Sequence, residues 1–318
     1  MKNYIYLFIF TLIIFSCKKE ENQTLPLHNK KVLILGNSIT QNGKYVDFLE
    51  YYLRKNHPQK TLDIISIGLS SETASGDSEA NHPYPRPCIH SRLDNALKLI
   101  KPDVVLACYG MNDGVFSNFD ETRFENYKMG ILDLMRNVEN TGAQIIFLTP
   151  TPFDPDPIKD RISFDDEPHS YKNPYFNYGG VLADYSNWLM DLGATKVINL
   201  NSYLNEELVA IKTQKSDSTF IPDGVHPNEI GHFYMAKKIL ADLYPKISID
   251  DVVSETTQLK KDTAYVMISK RRKIRSDGWL KYIGYTRGET VKSDAIEPTK
   301  EKVKQLDIAI EETLNYTQ

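Results

Sequence analysis

The chain has 318 residues, of which 41% are hydrophobic, 25% charged and 11% aromatic. These proportions exclude collagen-like, coiled-coil and wholly disordered chains. Lys and Arg total 38 against 42 Asp and Glu, a formal net charge of −4, so no overall basic field gathers nucleic acid or an anionic membrane face.

The chain opens with Met1-Lys2-Asn3, followed by apolar residues from Tyr4 to Phe15 and then Ser16-Cys17. Such a run spans roughly 18 Å as a helix, short of the ~30 Å core of a bilayer, so it reads as a signal peptide rather than an anchor helix. Ile14-Phe15-Ser16-Cys17 resembles a bacterial lipobox, in which cleavage leaves Cys17 as a lipid-bearing N-terminus. The expectation is an exported outer-membrane lipoprotein, held to the membrane through that lipid alone. Residues 1–16 would be removed and residues 17–30 would form a tether, because 18–24 are polar and carry no hydrophobic period. Cys88 and Cys108 are expected as free thiols, Cys108 because it closes an apolar run.

From residue 31 to 245, apolar runs of strand length alternate with segments of helical period. Strands are predicted at 32–35, 62–67, 104–108, 144–148 and 196–200, each rich in Val, Ile and Leu and without polar alternation. Helices are predicted at 45–54, 91–100, 123–138, 181–192 and 204–212, and a further one at 229–243. This alternation predicts an α/β fold, a parallel sheet with helices on both faces and ligands at the carboxyl ends of the strands. A Pro- and Asp-rich stretch, 154–178, follows the fourth strand and is read as a substrate-side loop. After residue 245 the alternation stops. Residues 247–259 read as polar, 270–275 hold five basic residues around Ile274, and Val303, Leu306, Ile310 and Leu314 share one helical face. The basic cluster is read as a solvated face. The region 246–318 is expected to be a helical accessory extension that packs through Trp279, Tyr282 and Ile283.

Four points fall where such a sheet would gather them. The first strand runs into Gly36-Asn37-Ser38-Ile39-Thr40, and a Ser at a strand-to-helix turn is either a nucleophile or a helix cap. The second strand ends at Gly68, which either offers an N–H to a bound group or simply makes the turn. The third leads to Gly110-Met111-Asn112-Asp113, where the Asn112 amide has two hydrogens to donate to an oxyanion. Finally, Pro222-Asp223-Gly224-Val225-His226-Pro227 precedes the helix at 229, with a carboxylate placed to orient an imidazole. A metal pair would need further ligands beside Asp223 and His226, and none stands at that spacing. His232 is expected to point away from the loop.

Together these motifs resemble the SGNH hydrolases, or GDSL esterases, across roughly residues 31–244. The matching positions are Ser38 in the first block, Gly68 in the second, Asn112 in the third, and Asp223 with His226 in the fifth. Asn37 stands where the family usually has Asp, and Ser66 and Ser71 where it often has Asn and Gly. The resemblance implies a three-layer α/β/α fold with a five-stranded parallel sheet, and a serine esterase. Ser38, His226 and Asp223 would form a triad, the Ser38 and Gly68 N–H groups with Asn112 would hold the oxyanion, and no metal or organic cofactor would be needed.

An exported esterase of this kind points to O-acetyl groups on a glycan as substrate, with Tyr84, Arg86, His90, Asp154 and Tyr175 as candidate sugar contacts. The rival readings are a glycan-binding lipoprotein without activity, a lipase or thioesterase of the same fold, and a glycosidase using Asp165 and Glu167.

Overall fold

The computed structural model describes residues 26–165, 167–193 and 195–316. The expected signal peptide and Cys17 lie outside these residues. In chain order the elements are β1 (Lys31–Gly36), α1 (Ser38–Asn42), α2 (Lys44–Asn56), β2 (Asp63–Ser66), α3 (His90–Ile100), β3 (Val104–Cys108), α4 (Glu121–Glu139) and β4 (Gln144–Leu148). They continue with α5 (Tyr178–Met190), β5 (Lys196–Ile198), α6 (Leu200–Gln214), α7 (Glu229–Leu243), α8 (Val252–Leu259) and α9 (Thr263–Ile283). A hairpin, β6 (Tyr285–Arg287) and β7 (Glu289–Val291), then leads to α10 (Glu297–Tyr316). The fifth strand is shorter than its apolar run, because Asn199 caps a helix that begins at Leu200.

Five parallel strands form one sheet in the order β2-β1-β3-β4-β5. The strands lack polar alternation because both faces are covered. Val32 and Ile34 of β1 join a core with α2, α6, α7 and α9. Leu33 and Leu35 point to the opposite core, built with α3, α4 and α5. The order reverses between β1 and β3, since the chain leaves β1 for β2 on one side and returns to β3 on the other. Such a reversal opens a crevice at the strand carboxyl ends; Ser38 opens α1 directly after β1 and Asn112 lies in the loop after β3.

The C-terminal region is less solvated than its composition suggests. Residues 247–259 contain α8, with Ile247, Ile249, Val252 and Leu259 buried. The basic cluster is solvated only in part: Lys270 and Lys273 are exposed, but Arg271 and Arg272 are buried on α9 against acids of α2. Arg272 Nε lies 2.6 Å from Asp47 Oδ1, and Arg271 Nη1 lies 2.9 Å from Glu50 Oε1. The tail packs through Leu280 and Ile283, with Trp279 partly buried beside them. At the other end, Leu27 and His28 are buried rather than part of a loose tether, and the Leu27 N–H donates to the Tyr244 hydroxyl at 2.9 Å. The Cys88 and Cys108 thiols are free.

Candidate active site

At the end of β1, a Cβ on Gly36 would sit 2.3 Å from Thr40 Oγ1 and 2.9 Å from the Cys108 carbonyl. Only glycine fits where the chain folds back over β3. Asn37, not Ser38, caps α1, because its Oδ1 accepts from the Ile39 N–H at 3.0 Å. Ser38 is the first residue of the helix, and its hydroxyl is free for another partner.

That partner is His226. Ser38 Oγ lies 2.8 Å from His226 Nε2, and His226 Nδ1 lies 2.8 Å from Asp223 Oδ2. With Nδ1–H donating to the carboxylate, Nε2 is left as the acceptor for the Ser38 hydroxyl. Asp223 also organises its own turn, its Oδ1 accepting from the Val225 N–H at 3.0 Å and the His226 N–H at 2.7 Å. Partial burial pushes the Asp223 carboxyl up, but the His226 ring and these two N–H groups outweigh it and hold the pKa at about 2. The carboxylate is therefore ionised at neutral pH. Immediately downstream, Asn228 Oδ1 caps α7 by accepting from Ile230 and Gly231, which fixes the exit of the His-bearing loop.

Asn112 lines the same cleft, but one of its amide hydrogens is already used on the Glu72 carbonyl at 3.0 Å. One remains for a ligand. Its loop is pinned by the buried Asp113 carboxylate, which accepts from the Ala74, Ser75 and Gly110 N–H groups at 2.8, 2.9 and 2.8 Å. Next to it, Val115 and Phe116 hold φ of +47° and +58°. That is an unfavourable conformation for a β-branched and an aromatic residue, and such strain gathers at functional loops.

Gly68 does not line the cleft. A Cβ there would meet Gln41 N at 2.3 Å, Thr40 C at 2.5 Å and the Asn37 carbonyl at 2.8 Å, so this glycine lets β2 pass directly beneath the turn that carries Ser38. Ser71 lines the cleft instead, at φ +68°, a left-handed conformation that glycine adopts without strain. Among the described residues its N–H has no acceptor. The departure of Ser71 from the family pattern was the available signal for this position.

Of the five candidate sugar contacts, only Arg86 reaches the cleft of about 380 Å³ around Ser38. Its guanidinium is paired with Glu79, Nε and Nη2 each 2.6 Å from a carboxylate oxygen. His90 points to α4, its Nε2 lying 3.1 Å from the Gly130 carbonyl. Asp154 is buried at 1% exposure and binds Lys212 Nζ and Thr219 Oγ1, each at 2.6 Å. Its N–H donates to the Gly224 carbonyl at 3.0 Å, so it braces the His226 loop from behind. Tyr84 packs against Arg287, and Tyr175 against His169 and Phe176. Asp165 lies beside Tyr175, whose hydroxyl pKa it raises, and Glu167 accepts from the Phe164 N–H; neither carboxylate lines the cleft. The 154–178 loop does reach it, through Ile158, Arg161, Tyr171 and Pro174. His82 and Arg287 also line it, and no sequence motif marked them. His232 faces the core, stacked on Tyr45 with ring centroids 6.0 Å apart.

A larger groove, about 760 Å³, opens at the amino ends of β1 and β2, bordered by Lys31, Asp63 and α10. It lies at the opposite end of the sheet from the Ser38 line. Among the described residues, no cluster of His, Cys, Asp and Glu is arranged to hold a metal ion.

No curated protein matches the sequence. By structure, the chain is similar to BT4096, a gut microbial diltiazem-metabolizing enzyme, with TM-score 0.55 and 18% identity over 70% of this chain. The match spans 48% of BT4096, about half its length. It is also similar to a catalytic mutant of Axe2, an acetylxylan esterase from Geobacillus stearothermophilus, with TM-score 0.51 and 17% identity over 70% of this chain and 97% of that one. LAE5, an α/β hydrolase from the metagenome of Lake Arreo, Spain, matches with TM-score 0.51 and 22% identity over 69% of this chain and 97% of that one. These likenesses describe the fold, whereas the family profile of the GDSL-like lipase/acylhydrolases matches residues 34–232. That segment is more than half of the chain and includes Ser38, Asn112, Asp223 and His226, so the protein belongs to the GDSL-like lipase/acylhydrolase family and is a carboxylic ester hydrolase.

Proposed function

We propose that the protein is an exported serine esterase that removes small acyl groups, acetyl above all, from a glycan through an acyl-enzyme. The observation that carries this reading is the unbroken line from Asp223 Oδ2 through the His226 ring to Ser38 Oγ, 2.8 Å at each junction. His226 accepts the Ser38 proton as Oγ attacks the ester carbonyl, while Asp223 holds the ring's tautomer and stabilises the imidazolium. The oxyanion is met by the Ser38 N–H, the Ser71 N–H and the free Asn112 amide hydrogen. Ser71 takes the place that sequence resemblance gave to Gly68. Each such donor is worth on the order of 3 kcal/mol in the transition state. His226 then protonates the leaving alcohol, and water releases the acyl group by the same steps.

The likeness to an acetylxylan esterase supports the acetyl and glycan parts of the reading. The lipobox-like Ile14-Phe15-Ser16-Cys17 supports lipidation of Cys17 and placement in the outer membrane. A glycan-binding protein without turnover would have no use for an ionised carboxylate, an oriented imidazole and a hydroxyl in series. A fluorophosphonate probe should label the protein and not its Ser38→Ala variant, and aryl acetate hydrolysis by that variant should fall by about 10⁴-fold or more. Turnover that survives Ser38→Ala at the original rate overturns the reading.

A further inference from the structure

The charges in the cleft do not balance. Three arginines line it, Arg86, Arg161 and Arg287, against the single carboxylate of Asp223. Arg86 is neutralised by Glu79, and Asp223 is committed to the His226 ring and two backbone N–H groups. Arg161 and Arg287 have no carboxylate within ion-pairing distance among the described residues. This includes Glu289, which stands opposite Arg287 in the β6–β7 register. In a chain of net charge −4, two unpaired guanidiniums beside the Ser38 line form a local positive field.

Arg287 is also held in place. Its Nε donates to the Ser70 carbonyl at 3.1 Å, next to Ser71, and its guanidinium lies 5.1 Å from the Tyr84 ring centroid. These contacts occupy Nε and one face of the planar guanidinium and leave its terminal nitrogens without a hydrogen-bond acceptor among the described residues. Burial, with Arg86 and Arg287 adding to it, keeps the His82 ring below its ordinary pKa against the opposing pull of the Tyr84 carbonyl and the Glu79 carboxylate. The positive charge on this wall therefore resides in the guanidiniums. Arg161 approaches from the 154–178 loop and Arg287 from the C-terminal hairpin, outside the segment 34–232 that matches the family.

Building on the esterase reading, we infer that Arg161 and Arg287 form a carboxylate-binding subsite, and that the preferred substrate is an acylated glycan carrying a uronate next to the ester. A planar carboxylate accepts two parallel hydrogen bonds from one guanidinium fork, a charge-assisted match that the hydroxyls of a neutral sugar do not reproduce. The C-terminal hairpin thereby acquires a role in substrate selection.

Calorimetry on the full-length Ser38→Ala protein separates this inference from the chemistry. The ligands are an acetylated uronate-containing oligosaccharide, a neutral acetylated xylo-oligosaccharide of equal length, and a sulfated neutral oligosaccharide. The uronate ligand should bind about tenfold or more tighter than the neutral one, consistent with one charge-assisted hydrogen-bond pair. The preference should narrow with added salt, and Arg287→Ala and Arg161→Ala should each reduce it severalfold. Arg287→Lys should restore only part of it. Equal affinity for the uronate and neutral ligands overturns the inference, as does a sulfated ligand that outcompetes the uronate. If instead the unaltered chain shows no fluorophosphonate labelling and no aryl acetate turnover, the esterase reading fails while the binding comparison stands.

Discussion

The division of labour between Asn37 and Ser38 decides what the serine can do. A Ser at this turn would ordinarily spend its hydroxyl capping the helix, but Asn37 Oδ1 takes the Ile39 N–H and leaves Ser38 Oγ to His226. Asp223 shows the electrostatic counterpart. Its pKa is brought from 3.8 to about 2, so the stability it contributes is present above about pH 4 and is lost as pH falls through 2. His232 behaves in the opposite chemical sense with the same acid consequence. Burial, with Arg272 and Lys44 adding to it, lowers this ring from 6.5 to about 3. Between those values the unfolded chain binds a proton that the fold refuses, so stability is full above pH 6.5 and declines towards pH 3, a tenfold difference in proton affinity being worth about 1.4 kcal/mol. His232→Phe keeps a ring on Tyr45 and removes the unpartnered Nδ1. Its melting temperature should change less between pH 7 and 4.5 than that of the unaltered chain. Parallel curves for the two proteins would refute this account.

At the scale of elements, the runs of Val, Ile and Leu located all five strands because a buried strand must be apolar on both faces. Helix spacing located α2 to α7 within a few residues. The short α1 left no such trace, since five residues cannot display a hydrophobic period. The fit of β2 beneath α1 is equally silent in the sequence, although Gly68 records it once the backbone is seen. Gly68→Ala should push against three backbone atoms of the Ser38 turn. The expected loss is about 1–3 kcal/mol of stability, together with a fall in kcat of about 100-fold, because small misplacements of a nucleophile are amplified in rate. Denaturant melts alongside aryl acetate kinetics measure both. A variant that is fully stable and fully active would show that this contact does not position Ser38.

For the whole molecule, the C-terminal helices are part of the core rather than an attachment to it. Asp47 and Glu50 of α2 are fully buried and face Arg272 and Arg271 of α9, and Ser269 Oγ adds a hydrogen bond to Asp47 at 2.7 Å. Removing one member of a buried pair strands the other charge, so Arg272→Met should cost about 3–5 kcal/mol, and Asp47→Asn in the same chain should recover part of it. Additive losses in denaturant unfolding would argue that the two side chains do not depend on each other. The same packing sets the β6–β7 hairpin and Arg287 against the cleft. Arg271 and Arg272 read as part of a solvated face only while their partners are unknown, and those partners on α2 stand more than 200 positions earlier in the chain. The layered α/β architecture, the positions of the five strands and the candidate residues Ser38, Asn112, Asp223 and His226 were legible in the order of amino acids, because hydrophobic period and short motifs are local properties. Which residues reach the cleft emerges only once the chain is folded: Ser71 rather than Gly68 faces it, Asp154 and His90 brace the scaffold, and Arg161 and Arg287 both line it with Ser38. Those outcomes depend on which distant segments come within a few ångströms of one another, and no local pattern encodes that distance.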